Sequence, residues 1–444
     1  MTAENPSIAL EPTNMKKFFP VWLGQLVSVI GSGLTSFALG VWIFEQTHQA
    51  TPFAITVLIG TLPRILLSPL AGALVDRWPR RLVMILADSL DAFSILLLAI
   101  LYFTSGLQIW MIFLASFISA ISGAFQEPAY MAAVTMLVPR GELARASGMI
   151  QAGQSIESII SPLIAGFLVV TIGLPGIFAI NLGTFAIAVI ILFFIRIPDP
   201  LHVTTETETK QSIWKEAAYG WKFLVERKGL LNLLLFFALV NFIMNFGGIL
   251  TTPLVLSMGD ASDLGMVQMV SGVGMLAGSL VISAWGGPKK NRIAVLIGAI
   301  GLSSIGLVLA GIQPSIFLIG AGYMVMLFFI PIGSATSQAI FQTKVPPDAQ
   351  GRVFSIRSMI SRSIMPIAYL LSGPIADYVF EPAMQANGAL GQTFLGLWMG
   401  VGPGRGIGLI FVISGLLMFI VCWLAYLNPI IRHVEHDLPD WKAG

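Results

Sequence analysis

The amino-acid sequence predicts an all-α membrane protein: twelve transmembrane helices in two pseudo-symmetric six-helix halves. Three observations carry that expectation. The 444 residues are 56% hydrophobic and only 10% charged, whereas soluble domains carry about 25% charged residues, so a water-facing surface cannot be covered. The apolar residues come in long blocks rather than at amphipathic spacing. Lys and Arg fall almost wholly in alternate connections between those blocks, the pattern of a chain that crosses a bilayer repeatedly.

Twelve stretches are long enough, at about 1.5 Å per residue, to cross a hydrocarbon core of about 30 Å. In order they run from Phe18 to Phe44, Pro52 to Leu74, Leu82 to Phe103, Gln108 to Leu137, Ser147 to Val170, Pro175 to Ile195, Leu230 to Leu256, Leu264 to Trp285, Ile293 to Gly311, Ser315 to Phe341, Val353 to Val379 and Gly406 to Leu427. The segment before the first stretch is rich in Pro, Asn and Glu and ends in Lys16-Lys17. It lacks the short apolar core and small-residue cleavage site of a signal peptide and is expected to be a cytoplasmic tail. Of the 24 basic residues, the spans hold Arg64, Arg357 and Arg362, and the loops expected outside hold only Arg405. The rest share one side, which puts both termini in the cytoplasm of a multi-pass protein of the cell (inner) membrane.

The longest inner connection, 196–229, separates the first six spans from the last six. It opens on a Thr/Glu run and continues with Ile213, Trp214, Ala217, Ala218, Trp221, Leu224 and Val225 interleaved with Lys215, Glu216, Lys222, Glu226, Arg227 and Lys228. That spacing suits an amphipathic helix on the membrane surface; a plain solvated linker is the alternative. The expected organisation is a tail at 1–17, a first half at 18–195, the linker at 196–229, a second half at 230–427 and a tail at 428–444. A weak repeat supports the halves: Val138-Pro139 with Arg145 recurs as Val345-Pro346 with Arg352, and the basic loop Arg77, Arg80, Arg81 has a counterpart in Lys289, Lys290, Arg292. Transporters built from such halves place the substrate near the bilayer midplane.

Several function classes are excluded. Cys422 is a single cysteine, so no internal disulfide forms, and His48, His202, His433 and His436 have no ligand spacing, so neither a metal nor a cofactor is expected. A formal charge of +2 with scattered basic residues speaks against a nucleic-acid partner. No G-x-x-x-x-G-K-[ST] loop is present, so ATP is not the expected energy source. The expected partners are the lipid bilayer, a small-molecule substrate and protons, with the chain acting as a monomer.

The loop after the second span reads GALVDRWPRR from Gly72 to Arg81 and resembles the G-x-L-x-D-R-x-G-R-R signature of the major facilitator superfamily, with Pro79 where that family usually has Gly. The fifth span carries Gly153 and then SPLIAG, with Ser161, Pro162 and Gly166, similar to the G-P-x-x-G-G motif of the superfamily's proton-driven exporters; Ser161 and Ala165 replace two glycines. VPRGELARASG at 138–148, the Trp-rich connector and GVGPGRGIGL at 400–409 resemble the macrolide-efflux branch, which also includes siderophore exporters. The resemblance implies the major facilitator fold, a cavity lined by the first, fourth, seventh and tenth helices with the fifth beside them, and lipid-facing ninth and twelfth helices.

Physics assigns separate roles to these residues. Asp76, Arg77, Arg80 and Arg81 can pair with charges or helix termini of the opposing half and, with Gly72, form an inner gate; a purely topogenic role is the alternative, least so for Asp76, which works against the inside-positive bias. Small residues at Gly153, Ser161 and Gly166 permit close helix approach, and Pro162 loosens the backbone ladder.

Polar side chains recur at helical spacing as Gln25, Ser28, Ser32, Thr35 and Ser36; Ser116, Ser119, Gly123, Glu127 and Tyr130; Gln151, Gln154, Ser155, Ser158 and Ser161; and Asn241, Asn245, Gly248 and Thr252. Gln25, Ser32, Arg64, Tyr130, Gln154, Asn241, Asn245 and Arg362 are the candidate substrate contacts; interhelical hydrogen bonding without a pathway is the alternative. An ionisable residue at a helix centre costs roughly 2.5 to 3.5 kcal/mol unless it faces water or a partner. Arg64, Glu127 and Glu157 lie near the midplane, with Asp88 and Asp91 shallower. Glu127, then Glu157, Asp88 and Asp91, are the candidate proton carriers, with a structural Arg64–Asp91 pair as the alternative. The resulting expectation is a proton-coupled antiporter that exports an amphipathic drug or a siderophore by alternating access. A proton-coupled importer of a nutrient or lipid, and a scaffold or sensor without transport, are the other readings.

Overall fold

A computed structural model describes residues 15–75, 77–197 and 221–437. Among them there is no strand, and twelve helices are long and apolar enough to cross a membrane. They are α1 (Met15–Thr47), α2 (Ala50–Val75), α3 (Arg80–Thr104), α4 (Ile109–Leu137), α5 (Leu143–Thr171), α6 (Gly173–Phe194), α7 (Lys228–Gly248, resuming as Thr251–Leu256), α8 (Ala261–Trp285), α9 (Arg292–Ile312), α10 (Ile316–Lys344), α11 (Pro347–Ile375, continuing as Ala376–Phe380 and Glu381–Ala383) and α12 (Arg405–Leu427). In lipid each of these segments must satisfy its backbone within itself, which is why a run of apolar residues becomes a helix regardless of weak local propensity.

Two elements depart from uniform helix. The seventh span, read as one stretch, is broken at Ile249 and Leu250. Pro253 has no N–H to give the Ile249 carbonyl and its ring crowds that group, while Gly247 and Gly248 lower helix stability just before the break. The eleventh span passes into a π-helical turn at Ala376–Phe380. Of the connector, 221–226 is helical, with Phe223 and Leu224 buried and Trp221 and Val225 exposed; residues 198–220 lie outside the described residues.

The chain divides into two compact units. The first comprises Met1–Ala38, Ile59–Ser161 and Thr171–Thr205; the second comprises Leu39–Leu58, Pro162–Val170 and Glu206–Gly444. Helices α1, α2 and α5 therefore each contribute to both. In the first unit α3 packs on α4 and α6, and a buried cluster of Phe18, Val21, Met84, Ala133, Leu137 and Leu192 holds α1, α3, α4 and α6. Trp22 Nε1 donates to the Met149 carbonyl at 2.9 Å and joins α1 to α5.

In the second unit α9 packs on α10 and α12. Each also presents an apolar outer face, Leu302 and Ile305 on α9 and Leu416, Phe419, Ile420 and Trp423 on α12. Arg405, the first residue of α12, is buried: its Nη2 donates to the Gly311 carbonyl at 2.6 Å. The Glu381 carboxylate accepts from the Gly404 and Ile407 N–H groups at 3.1 and 2.8 Å and caps α12 beside it. This helix-end role accounts for the acid at Glu381.

Candidate functional site

The first unit holds an open cavity of about 510 Å³ lined from α1, α2, α3, α4, α5 and α6. All four candidate carboxylates, Asp88, Asp91, Glu127 and Glu157, line it, with Arg64, Gln25, Ser32, Tyr130, Gln154 and Gly153. Helix periodicity puts them there: Ser119, Ser122, Gly123, Gln126, Glu127 and Tyr130 occupy adjoining ridges of α4, and Asp88 and Asp91 lie one turn apart on α3.

The four acids sit in different surroundings. Asp88 is buried and accepts a 3.1 Å hydrogen bond at Oδ2 from Gln25 Nε2; Gln25 in turn accepts at Oε1 from Gln126 Nε2. Asp91 interacts with the Ser119 hydroxyl and with the charge of Arg64, and its Oδ1 has no hydrogen-bond partner among the described residues. Glu127 is exposed to the cavity, and Glu157 is half-buried. Arg145–Glu142 and Lys222–Glu226 are salt bridges, and among the described residues none joins Arg64 to Asp91.

Two glycines make room for charge. A Cβ at Gly123 would meet the Arg64 guanidinium, 2.8 Å from Cζ, so that group lies close against the bare backbone of α4. A Cβ at Gly33 would stand 2.7 Å from both Glu157 Oε1 and Ser161 Oγ. Ser161 Oγ donates to the Ile30 carbonyl at 3.3 Å. The polar stripe of α1 is thus divided: Gln25, Ser28 and Ser32 face the cavity, whereas Thr35 accepts a 2.8 Å hydrogen bond from Asn181 of α6.

The exporter-like motif of α5 is divided between the units after Ser161. Within the second unit, a Cβ at Gly166 would stand 2.6 Å from the Ala261 carbonyl oxygen, and one at Gly265 would stand 2.6 Å from that of Pro162. Here α5 and α8 touch backbone to backbone, which only glycine allows. Asn241, Asn245 and Arg362 belong to the second unit and are not among the residues that line the cavity. Asn245 Nδ2 donates to the Asn241 carbonyl at 2.7 Å, its Oδ1 accepts from the Tyr369 hydroxyl at 3.2 Å, and Arg362 is exposed.

In the candidate gate loop, Asp76 lies outside the described residues. Gly72 has open space where a side chain would be, and Arg77 is exposed. Arg81 Nε donates to the Leu192 carbonyl at 2.6 Å and its Nη2 to that of Phe193, so it caps the end of α6. Arg80 Nη1 contacts Met136 Sδ.

Sequence reasoning passed over Gln126 and Trp22. Gln126 lies on the ridge next to the stripe it followed, so a wider polar face on α4 would have included it. Trp22 looks like any apolar span residue until its indole meets α5. Arg357, noted only as a basic residue within a span, donates to Gln338 Oε1 and Ser337 Oγ at 3.1 and 2.9 Å and lies 4.7 Å over the Phe341 ring.

A model of the Major Facilitator Superfamily matches residues 21–369. Macrolide efflux protein A of Streptococcus pyogenes is 33% identical over 370 residues, 82% of this chain and 90% of that protein. Multidrug efflux pump Tap of Mycolicibacterium fortuitum is 23% identical over 378 residues, 82% and 91% of the two chains. The crystal structure of a bacterial homologue of the human lysosomal transporter Spinster, inward-facing and unoccupied, superposes with a TM-score of 0.70 at 14% identity, covering 98% of this chain and 100% of that one.

Proposed function

The chain belongs to the Major Facilitator Superfamily, and from that premise we propose that this membrane transporter is a proton-coupled antiporter exporting an amphipathic, cationic small molecule of macrolide-like character. The observation that carries the reading is the charge of the cavity: four carboxylates and one guanidinium among amide and hydroxyl groups, with Trp22, Tyr130 and Phe185 supplying flat apolar faces. Carboxylates at this depth are neutralised either by protons or by a cation bound beside them. Mutually exclusive occupation by proton and substrate is the physical requirement of antiport. A siderophore, whose metal-binding oxygens carry negative charge, suits the same lining poorly. The efflux relatives support the direction of transport.

Glu127 is the first choice of proton carrier, since it is the acid most open to the cavity; Glu157 is the second. One charge moving through an assumed potential of about 150 mV releases roughly 3.5 kcal/mol, equivalent to about a 300-fold gradient. Both termini are cytoplasmic in this reading, on the distribution of Lys and Arg. The halves at 18–195 and 230–427 alternate access to the cavity, the loop from Gly72 to Arg81 closes the cytoplasmic side, and the monomer works without ATP.

The test is accumulation of a radiolabelled macrolide in membrane vesicles under an imposed proton gradient. Inside-out vesicles should accumulate it, with loss on adding a protonophore. Accumulation confined to right-side-out vesicles would make the protein an importer.

A further inference from the structure

We infer that Asp377 is a gating residue of the transport cycle: its carboxylate fastens the N-terminus of α2 to the end of α11, and this contact breaks whenever that face opens. The inference rests on the alternating-access reading above. The first N–H groups of any helix lack intrahelical partners. In α2 the Ala50 N–H goes to Asp377 Oδ1 at 2.8 Å and the Thr51 N–H to Oδ2 at 2.7 Å. A helix cap ordinarily comes from the residue just before the helix. The nearby hydroxyl, Thr47 Oγ1, is instead engaged with the Ile43 carbonyl at 2.7 Å and the Gln49 N–H at 3.3 Å, so α2 takes its cap from a residue more than three hundred positions away.

Two further features serve the same contact. The π-helical turn at Ala376–Phe380 shifts the phase of α11 at Asp377, and such turns are concentrated at functional positions. One turn earlier, Gly373 lets the α2 backbone approach: a Cβ there would stand 2.6 Å from Thr51 Cα. The negative charge also meets the positive end of the α2 dipole. When the contact parts, water can satisfy both N–H groups and the carboxylate, so the closed state is favoured without being locked. A capping group of this kind shifts an equilibrium by about 2- to 30-fold.

Spin labels on Gln49→Cys and Gln385→Cys, both exposed positions, in a Cys422→Ser background report the separation of the two segments by pulsed electron resonance. In Asp377→Asn, which keeps the volume but loses the charge and one acceptor, the ratio of long to short distances should rise about 2- to 30-fold. Asp377→Ala should raise it at least as far, and Asp377→Glu should stay closer to the parent. Parent-like distributions in Asp377→Asn and Asp377→Ala would overturn the assignment. So would a shift in Asp377→Glu as large as in Asp377→Ala. Absence of macrolide export by the parent would reject the functional reading and leave the distance result standing on its own.

Discussion

Gln25 of α1 and Asp88 of α3 share a 3.1 Å hydrogen bond in the first unit, and Gln126 of α4 donates to the same glutamine from the other side. Three helices are thereby tied through one amide whose orientation is set by both neighbours: its oxygen faces a donor and its nitrogen an acceptor. Gln25 and Asp88 are each only 4% exposed, so removing one leaves the other with little access to solvent.

Asp88→Leu should therefore destabilise the protein by about 1 to 3 kcal/mol, the cost of stranding a buried donor, whereas Asp88→Asn, which keeps an acceptor, should cost less than about 1 kcal/mol. Thermal unfolding in detergent measures both. The double variant Gln25→Leu, Asp88→Leu should recover part of the loss, and strictly additive losses would show that the two side chains do not depend on each other.

Glu127→Gln should abolish proton-driven accumulation in inside-out vesicles, since a neutral amide fills the same space but cannot exchange a proton. Substrate-induced proton release from purified protein is the direct measurement. If Glu127→Gln and Glu157→Gln each release protons like the parent, the carrier is Asp88 or Asp91.

Gly123→Ala should lower transport by displacing the Arg64 guanidinium from α4, with little change in stability, because the far end of a flexible side chain moves rather than backbone. Arg64→Ala should remove most of that effect. The pair should thus be non-additive in a double-mutant cycle of transport rates; additive losses would mean that Gly123 acts on something other than Arg64.

Reporter fusions test the proposed topology. A fusion after Thr204 should read as cytoplasmic and fusions within 382–402 as external, and an external signal after Thr204 would reverse the orientation taken from the basic residues.

The spans were legible because their cause is local. A helix in hydrocarbon makes all its backbone bonds within its own residues, so runs such as Leu82 to Phe103 announce α3 with no knowledge of a neighbour. The family signature in the loop from Gly72 to Arg81 was legible for the same reason. What a polar residue in a span touches is a different kind of fact, since it depends on the rotation and depth of several helices at once. Ser32 and Thr35 belong to one stripe of α1, yet Ser32 meets the cavity and Thr35 meets Asn181. Asp377 is, in sequence, one acid near the end of an apolar stretch. The packing of Gly373 on Thr51 turns it into the cap of α2, because only a folded chain can bring an orphan N–H to a carboxylate so far along it.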